Sequence, residues 1–303
     1  MKKSMLTIFM LSVICFCTFK ALAFVRYEDK HPKYQTEVHM TGYIDYAPFG
    51  WVDYPYEVNY GQFHTMFEPM INDLVESANL KMKYDMQRKT VDELVQKVRQ
   101  GEVDIMVGAY YQTELFKGLA ILFPAAVYNP ITVFMIPNRI QEVKSTEDLK
   151  KLKGVRNTNE IFSDFVETKI AELNPVEAES AYEMFEKLYT RQVDYIITSY
   201  YNGMIEAAKL GLTQQIAAAK QTLWNIPMFV GISKTSKHRN LIEKRLIQWL
   251  NDEKNIQRLK DEMQHKIEEI QKKYEGVVPP TFGLEKQPIS PAVENNDNIV
   301  DDK

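Results

Sequence analysis

Cysteine is the scarcest reactive residue in this chain. Only Cys15 and Cys17 occur, and both lie in an apolar N-terminal stretch. If that stretch is removed on export, the rest has no disulfide, no thiol nucleophile and no cysteine-bound metal. The five histidines, His31, His39, His64, His238 and His265, are scattered without an HExxH spacing or a carboxylate–histidine cluster, so no metal site is legible. Phosphate-cradling and nucleophile-elbow sequences are missing too: there is no GxGxxG, no Walker A and no GxSxG. No cofactor is expected. A formal net charge of −4 gives no electrostatic footprint for nucleic acid. After residue 23 no apolar run is long enough to span a bilayer.

The N-terminus carries what the rest lacks. Lys2 and Lys3 form a basic head, Met5 to Phe19 an apolar run, and Ala21-Leu22-Ala23 an A-x-A cleavage sequence. This is the pattern of a secretory signal over residues 1–23, cut after Ala23, and it places the mature protein in the periplasm. Loss of Lys2, Lys3 and Lys20, with no acid removed, lowers the formal charge from −4 to −7. The mature length and the 45% apolar content are sufficient for two medium-sized cores.

The stretch from Thr90 to Tyr128 organises the remainder. Val91, Leu94, Val95 and Val98 recur at helical spacing, with Thr90 as N-cap and Glu93 as its capping-box partner. Gly101 ends that helix. Val103, Ile105, Met106 and Val107 then form a short apolar run suited to a buried parallel strand, which ends in Gly108-Ala109-Tyr110-Tyr111. Upstream, Val38 to Ile44 reads as a first strand, 52–62 as a loop, Thr65 to Asn79 as a helix with Pro69 in its first turn, and Leu80 to Met86 as a strand. Downstream, Ile131 to Ile136 reads as a strand and Ser145 to Leu152 as a capped helix. Arg156 to Asn159 reads as a turn that opens a helix over about 160–171. Val193 to Ser199 then repeats the Val-Asp-strand pattern of 103–108, so a second lobe echoes the first. Pro227 to Ser233 reads as a returning strand and 238–274 as one long charged helical region. From Gly276 the chain is rich in proline and acid and reads as a disordered tail.

Several of these segments carry a resemblance. Gly101-Glu102-Val103-Asp104, Gly108-Ala109, Thr113-Glu114, Phe123-Pro124 with Tyr128, and Tyr46-Ala47-Pro48-Phe49 are similar to motifs of the bacterial extracytoplasmic solute-binding proteins of family 3, the polar amino-acid type. Asp148, Leu149 and Gly154 match a further segment, and the resemblance covers roughly residues 38–270. It implies an α/β fold of the type II periplasmic binding protein kind: two lobes, each a doubly wound sheet, joined by two crossovers. Lobe 1 would comprise 24–127 and 224–275, lobe 2 would comprise 128–223, and 276–303 would be the tail. It also implies a monomer that captures a small-molecule solute between its lobes and delivers it to an ABC-transporter permease. Two departures separate this chain from the family. The arginine that clamps a ligand carboxylate is replaced by Phe116, and the aspartate that ends the second-lobe strand is replaced by Ser199.

Open α/β sheets bind ligands where their strands end. The candidate ligand residues are therefore Asp45, Tyr46, Phe49, Trp51, Ala109, Tyr110, Tyr111, Phe116, Arg156, Thr158 and Ser199. Asp45 could hold a cation against the nearby aromatic rings, and Arg156, at a helix N-terminus, an anion. The expected solute is thus small and polar, aromatic or cationic. The alternative is a sensor or interaction module on the same fold, and a less favoured one is a dehydratase-like enzyme using Asp45. Asp85, Asp92 and Asp104 occur singly and read as solvated surface carboxylates, so no enzyme is expected.

Overall fold

The computed structural model describes residues 36–43, 45–53, 62–85 and 91–282. Residues 1–35 with the expected signal segment, Thr90, most of the 52–62 loop and residues 283–303 lie outside the described residues. The chain begins with β1 (Thr36–Thr41), followed by a small antiparallel sheet of β2 (Asp45–Tyr46), β3 (Gly50–Asp53) and β4 (Gln62–His64). Sequence periodicity gave no sign of this sheet, because its strands are too short to show an alternation. Helix α1 (Glu68–Ala78) has Pro69 in its first turn, where the missing N–H has no intrahelical partner to lose. It buries Met70, Ile71 and Leu74, and Asn79 closes it in the left-handed conformation. Then come β5 (Leu80–Tyr84), α2 (Val91–Gln100) and β6 (Ile105–Ala109).

The main sheet runs β5-β1-β6-β13-β8-β11-β9-β10, with β8 at Val127–Met135, β9 at Gly154–Asn157, β10 at Val176–Ala178, β11 at Tyr195–Ser199 and β13 at Trp224–Ser233. In one half, β1 pairs in parallel with β5 and β6, and β13 adds antiparallel to β6. In the other, β9 pairs in parallel with β10 and β11, and β8 adds antiparallel to β11. The same topology thus occurs twice, giving two α/β lobes. The two antiparallel strands also pair with each other, from Val127↔Met228 to Ile131↔Trp224, and so join the lobes.

The echo in the sequence has a physical content. Asp104 donates its N–H to the His39 carbonyl at 2.8 Å, and its carboxylate accepts the His39 N–H at 2.9 Å. Asp194 does the same with Lys153, at 2.7 and 2.8 Å. The helix before each aspartate ends in one motif. Gly101 (φ +74°) and Glu102 bond back to Val98 and Lys97; Arg191 (φ +60°) and Gln192 bond back to Leu188 and Lys187 from α6 (Ala181–Tyr189). This is a Schellman closure, which requires one left-handed residue. Asp104 is therefore not a surface carboxylate. It is buried, and it also accepts from the Ser236 hydroxyl. Asp85 is tied to Lys97 at 3.1 Å, and the Asp92 side chain lies outside the described residues.

Other readings change at element ends. The segment after β9 stays irregular until α5 (Asp164–Ala171), so Arg156 sits inside a strand and not at a helix N-terminus. The long charged region is two helices, α8 (Arg239–Leu250) and α9 (Glu253–Lys273), separated at Asn251-Asp252, where the Asp252 side chain caps the Lys254 N–H. α3 (Thr113–Gly118), β7 (Leu119–Ile121) and β12 (Ala217–Ala218) were not legible, being two to six residues long. Leu94, Val95 and Val98 of α2 pack on Val103, Met106 and Leu119, each buried side chain contributing about 1.5–3 kcal/mol.

Two outcomes test these local assignments by urea denaturation. Asp104→Ala leaves the His39 N–H and the Ser236 hydroxyl without their charged acceptor and should lower the unfolding free energy by about 3 kcal/mol. Arg191→Gly relieves a left-handed residue that carries a Cβ and should raise it by about 0.5–1 kcal/mol.

Candidate functional site

The loop after β6 meets the second lobe directly. The Gln112 amide donates to the Phe162 carbonyl at 3.0 Å. Asp164 accepts from the Thr113 N–H and hydroxyl at 2.8 and 2.6 Å, and its own N–H donates to the Tyr111 carbonyl at 3.2 Å. The strand-end segment singled out from sequence therefore lies at the junction of the lobes.

Behind this contact is a buried polar hub. Tyr46 lies in β2, Tyr110 directly follows β6, Asn129 lies in the crossing strand β8, and Thr198 and Ser199 end β11. The Tyr110 hydroxyl donates to the Tyr46 hydroxyl at 3.0 Å. The Asn129 amide donates to both phenols, and its carbonyl accepts from the Ser199 hydroxyl at 2.7 Å. Glu160 brings in a carboxylate. It accepts from the Thr198 hydroxyl at 2.7 Å and the Ser199 N–H at 3.2 Å, and the Tyr46 hydroxyl reaches it from the other lobe. Tyr110, Asn129, Thr198 and Ser199 are at most 1% exposed, so these bonds operate with little water around them.

Burial pushes the Glu160 carboxyl up from its ordinary 4.5, and the hydrogen bonds from Thr198, Ser199 and Tyr46 and the Arg156 charge oppose that shift without cancelling it. Burial also drives both phenols well above their usual value, with the Glu160 charge adding to the effect, so they act as neutral hydroxyls.

The other candidate residues are distributed as follows. Phe49 is buried and stacks on Tyr46 with ring centroids 5.5 Å apart, and Ala109 is buried at the end of β6. Asp45 is exposed at the edge of the small sheet, opposite Trp51, and is outside the hub. Trp51 stacks on His64 at 5.2 Å and packs towards α9. Tyr111 is 54% exposed and meets the Phe116 edge at 4.7 Å; Phe116 in turn meets Phe229. Arg156 is held by Glu167 at 2.6 Å and by the Glu160 carbonyl at 2.9 Å, inside the second lobe. Thr158 bonds the Ala178 carbonyl. The structure thus brings together Tyr46, Phe49, Tyr110 and Ser199; Ala109 packs instead on Leu94, Val98 and Leu119, and Asp45, Trp51, Tyr111, Phe116, Arg156 and Thr158 are not part of the hub. Sequence reasoning missed Asn129, Glu160 and Thr198. A polar Asn129 inside an otherwise apolar crossing strand was the available signal for the first. Glu160 had none, being read as the first residue of a helix.

Among the described residues, three buried polar atoms around the hub have no hydrogen-bond partner: the Tyr43 hydroxyl, the Gln112 carbonyl and the Asn202 carbonyl. Tyr43 packs on both hub tyrosines, at 6.1 and 6.0 Å. Gln112 is two residues after Tyr110 in the chain, and the Asn202 N–H points to the Ser199 hydroxyl at 3.4 Å. With Glu160, the Gln112 and Asn202 carbonyls make the junction rich in acceptors, while the Tyr43 phenol can also donate. A separate groove of about 450 Å³ lies between α1 and α9, lined by Glu68, Asn72, Arg258 and His265. Its arginine is already paired with Asp73. Among the described residues no group of three His, Cys, Asp or Glu is placed to hold a metal, and no helix is long and apolar enough to cross a membrane.

The hub makes a pH prediction. In the interval between the unfolded and the folded Glu160 pKa, the unfolded state holds fewer protons, so the contribution of this group to stability falls as pH rises through that interval. Glu160→Gln removes the titration. The melting temperature of the variant relative to wild type should therefore be higher at pH 8 than at pH 4; a difference independent of pH would contradict the burial of a titrating carboxyl.

No protein-family model matches the chain. No curated protein matches it either. Solved structures do. An amino acid ABC transporter substrate-binding protein from Streptococcus pneumoniae bound to L-arginine is 16% identical, with a TM-score of 0.56 over 78% of this chain and 94% of that one. The GluR0 ligand-binding core in complex with L-glutamate is 13% identical, with a TM-score of 0.58 over 76% and 98%. A histidine kinase sensor domain with similarity to periplasmic binding proteins is 14% identical, with a TM-score of 0.57 over 82% and 100%. The chain has the two-lobed fold of the periplasmic binding proteins.

Proposed function

We propose that the protein is a periplasmic, non-enzymatic solute-binding protein that takes a small polar solute bearing N–H donors, an amine or guanidinium in preference to a free carboxylate, between its lobes. The observation that carries this reading is the acceptor-rich junction. Glu160 supplies a buried carboxyl that accepts hydrogen bonds, and among the described residues the Gln112 and Asn202 carbonyls lack donors. A buried acceptor left without a donor costs about 1–3 kcal/mol, which a donating solute would recover. The cationic handle expected for a carboxylate is missing: Phe116 stands in the clamp position, and Arg156 is engaged with Glu167. That one structural neighbour holds L-arginine fits a cationic solute. In this reading the hinge is the paired β8–β13 segment, with lobe 1 formed by residues up to 127 and by 224–275, lobe 2 by 128–223, and a monomer delivering its solute to an ABC-transporter permease.

A second reading is favoured by one observation: the hub hydrogen bonds close within the chain, through side chains from both lobes. That arrangement suits a sensor or interaction module on the same fold, a use that one of the neighbours also has.

A thermal-shift titration of residues 24–303 against polyamines, guanidino compounds, amino acids, sugars and carboxylic acids separates the two. A solute that binds only the folded form stabilises it by about 2.7 kcal/mol at a hundredfold excess over Kd. The expected result is a saturable rise with an amine or guanidine, lost in Glu160→Gln. No rise with any class would remove the solute-binding reading and leave the interaction module.

A further inference from the structure

We propose that the C-terminal helix α9 and the segment after it form a strap that ties the two lobes together, a third connection besides the two crossing strands. The strap starts on the first lobe. Arg258 pairs with Asp73 of α1 at 3.1 Å, Lys266 lies 3.3 Å from Glu68 of the same helix, and Leu259 is fully buried. One turn later it reaches the junction. Ile267 and Ile270 cluster with Ala47 of the first lobe and with Ile205 of α7 (Tyr200–Lys209) of the second. Beyond Gly276 it lies on the second lobe alone. The Val277 carbonyl sits against Gly211, where an added Cβ would be 2.2 Å from it. Gly211 has φ +67°, so glycine is required there both by backbone conformation and by this close approach. Phe282 finally packs on Tyr182 and Tyr189 of α6, with ring centroids 5.4 and 5.0 Å apart. The sequence reading placed a disordered tail from Gly276; residues 276–282 instead follow the second lobe.

The consequence is mechanical. Two strands hydrogen-bonded side by side allow the lobes to rotate about them, as in hinge closure. A segment anchored on both lobes must detach or stretch before they part. The strap therefore sets how often the lobe junction opens, whatever the junction binds, and it does not rest on the solute reading.

Amide hydrogen exchange on the mature chain without added solute tests this, because it reads local opening site by site. The Thr113 N–H, bonded to Asp164, and the Asp164 N–H, bonded to Tyr111, report the junction. The Asp104 and Asp194 N–H groups report the interior of each lobe. Phe282→Ala removes both ring contacts at the end of the strap, and should speed exchange at Thr113 and Asp164 by about tenfold while leaving Asp104 and Asp194 unchanged. Unchanged rates at Thr113 and Asp164 would overturn the proposal. So would an equal rise at all four amides, which would make Phe282 an ordinary contributor to global stability.

Discussion

Everything in this molecule hangs on two long antiparallel strands that each belong to two neighbourhoods at once. The strand Trp224–Ser233 gives its first half to Val127–Ile131 and its second to the first lobe, while Val127–Met135 continues into the second. Backbone polar groups in a buried strand must be paired along its whole length. The two strands therefore cannot be dissociated from either lobe without leaving unpaired N–H and C=O groups. The lobes are fixed as neighbours, and the residues at the strand ends are brought to one place. Tyr46 and Tyr110 arrive from one side, Thr198 and Ser199 from the other, and Asn129 from the crossing strand between them.

The chemistry of that place follows from burial. A single carboxylate, two phenols, an amide and two hydroxyls are removed from water together, and each carries a cost unless it is bonded. Their hydrogen bonds form one connected set, so losing any member leaves others unsatisfied. At its margin, Tyr43, Gln112 and Asn202 have buried oxygens with no hydrogen-bond partner among the described residues. The contrast between a satisfied centre and an unsatisfied margin is what supports the proposal of recognition at the junction. The strap adds a restraint from outside: α9 and the segment to Phe282 bind surfaces of both lobes, so opening is opposed by the strap as well as within the hub.

What the sequence by itself determined was local. Helical spacing in 91–100, the apolar run at 105–107 and glycine at 101 were sufficient for helix, strand and turn, because those depend on side-chain periodicity and on backbone conformations of single residues. The repeated Val-Asp-strand pattern carried the duplication of the lobe, and its reason emerged as one exchange of backbone and carboxylate hydrogen bonds at Asp104 and again at Asp194. Aromatic residues at strand ends pointed to the junction, since the end of a strand is where its direction carries a side chain out of the sheet.

Only the tertiary structure decided which polar groups meet. Glu160 is separated from Tyr46 by 114 positions in the chain and from Thr198 by 38, and no periodicity links residues that far apart. Asp45 and Glu160 are both single carboxylates in sequence; one is exposed at a sheet edge and the other buried among hydroxyls. Arg156 looked available for an anion until its strand was aligned with α5, which brings Glu167 within 2.6 Å. In each case the deciding quantity is the distance across the fold, together with the loss of water that makes a charge there expensive to leave unpaired. Neither is encoded in the identity of a residue or its immediate neighbours.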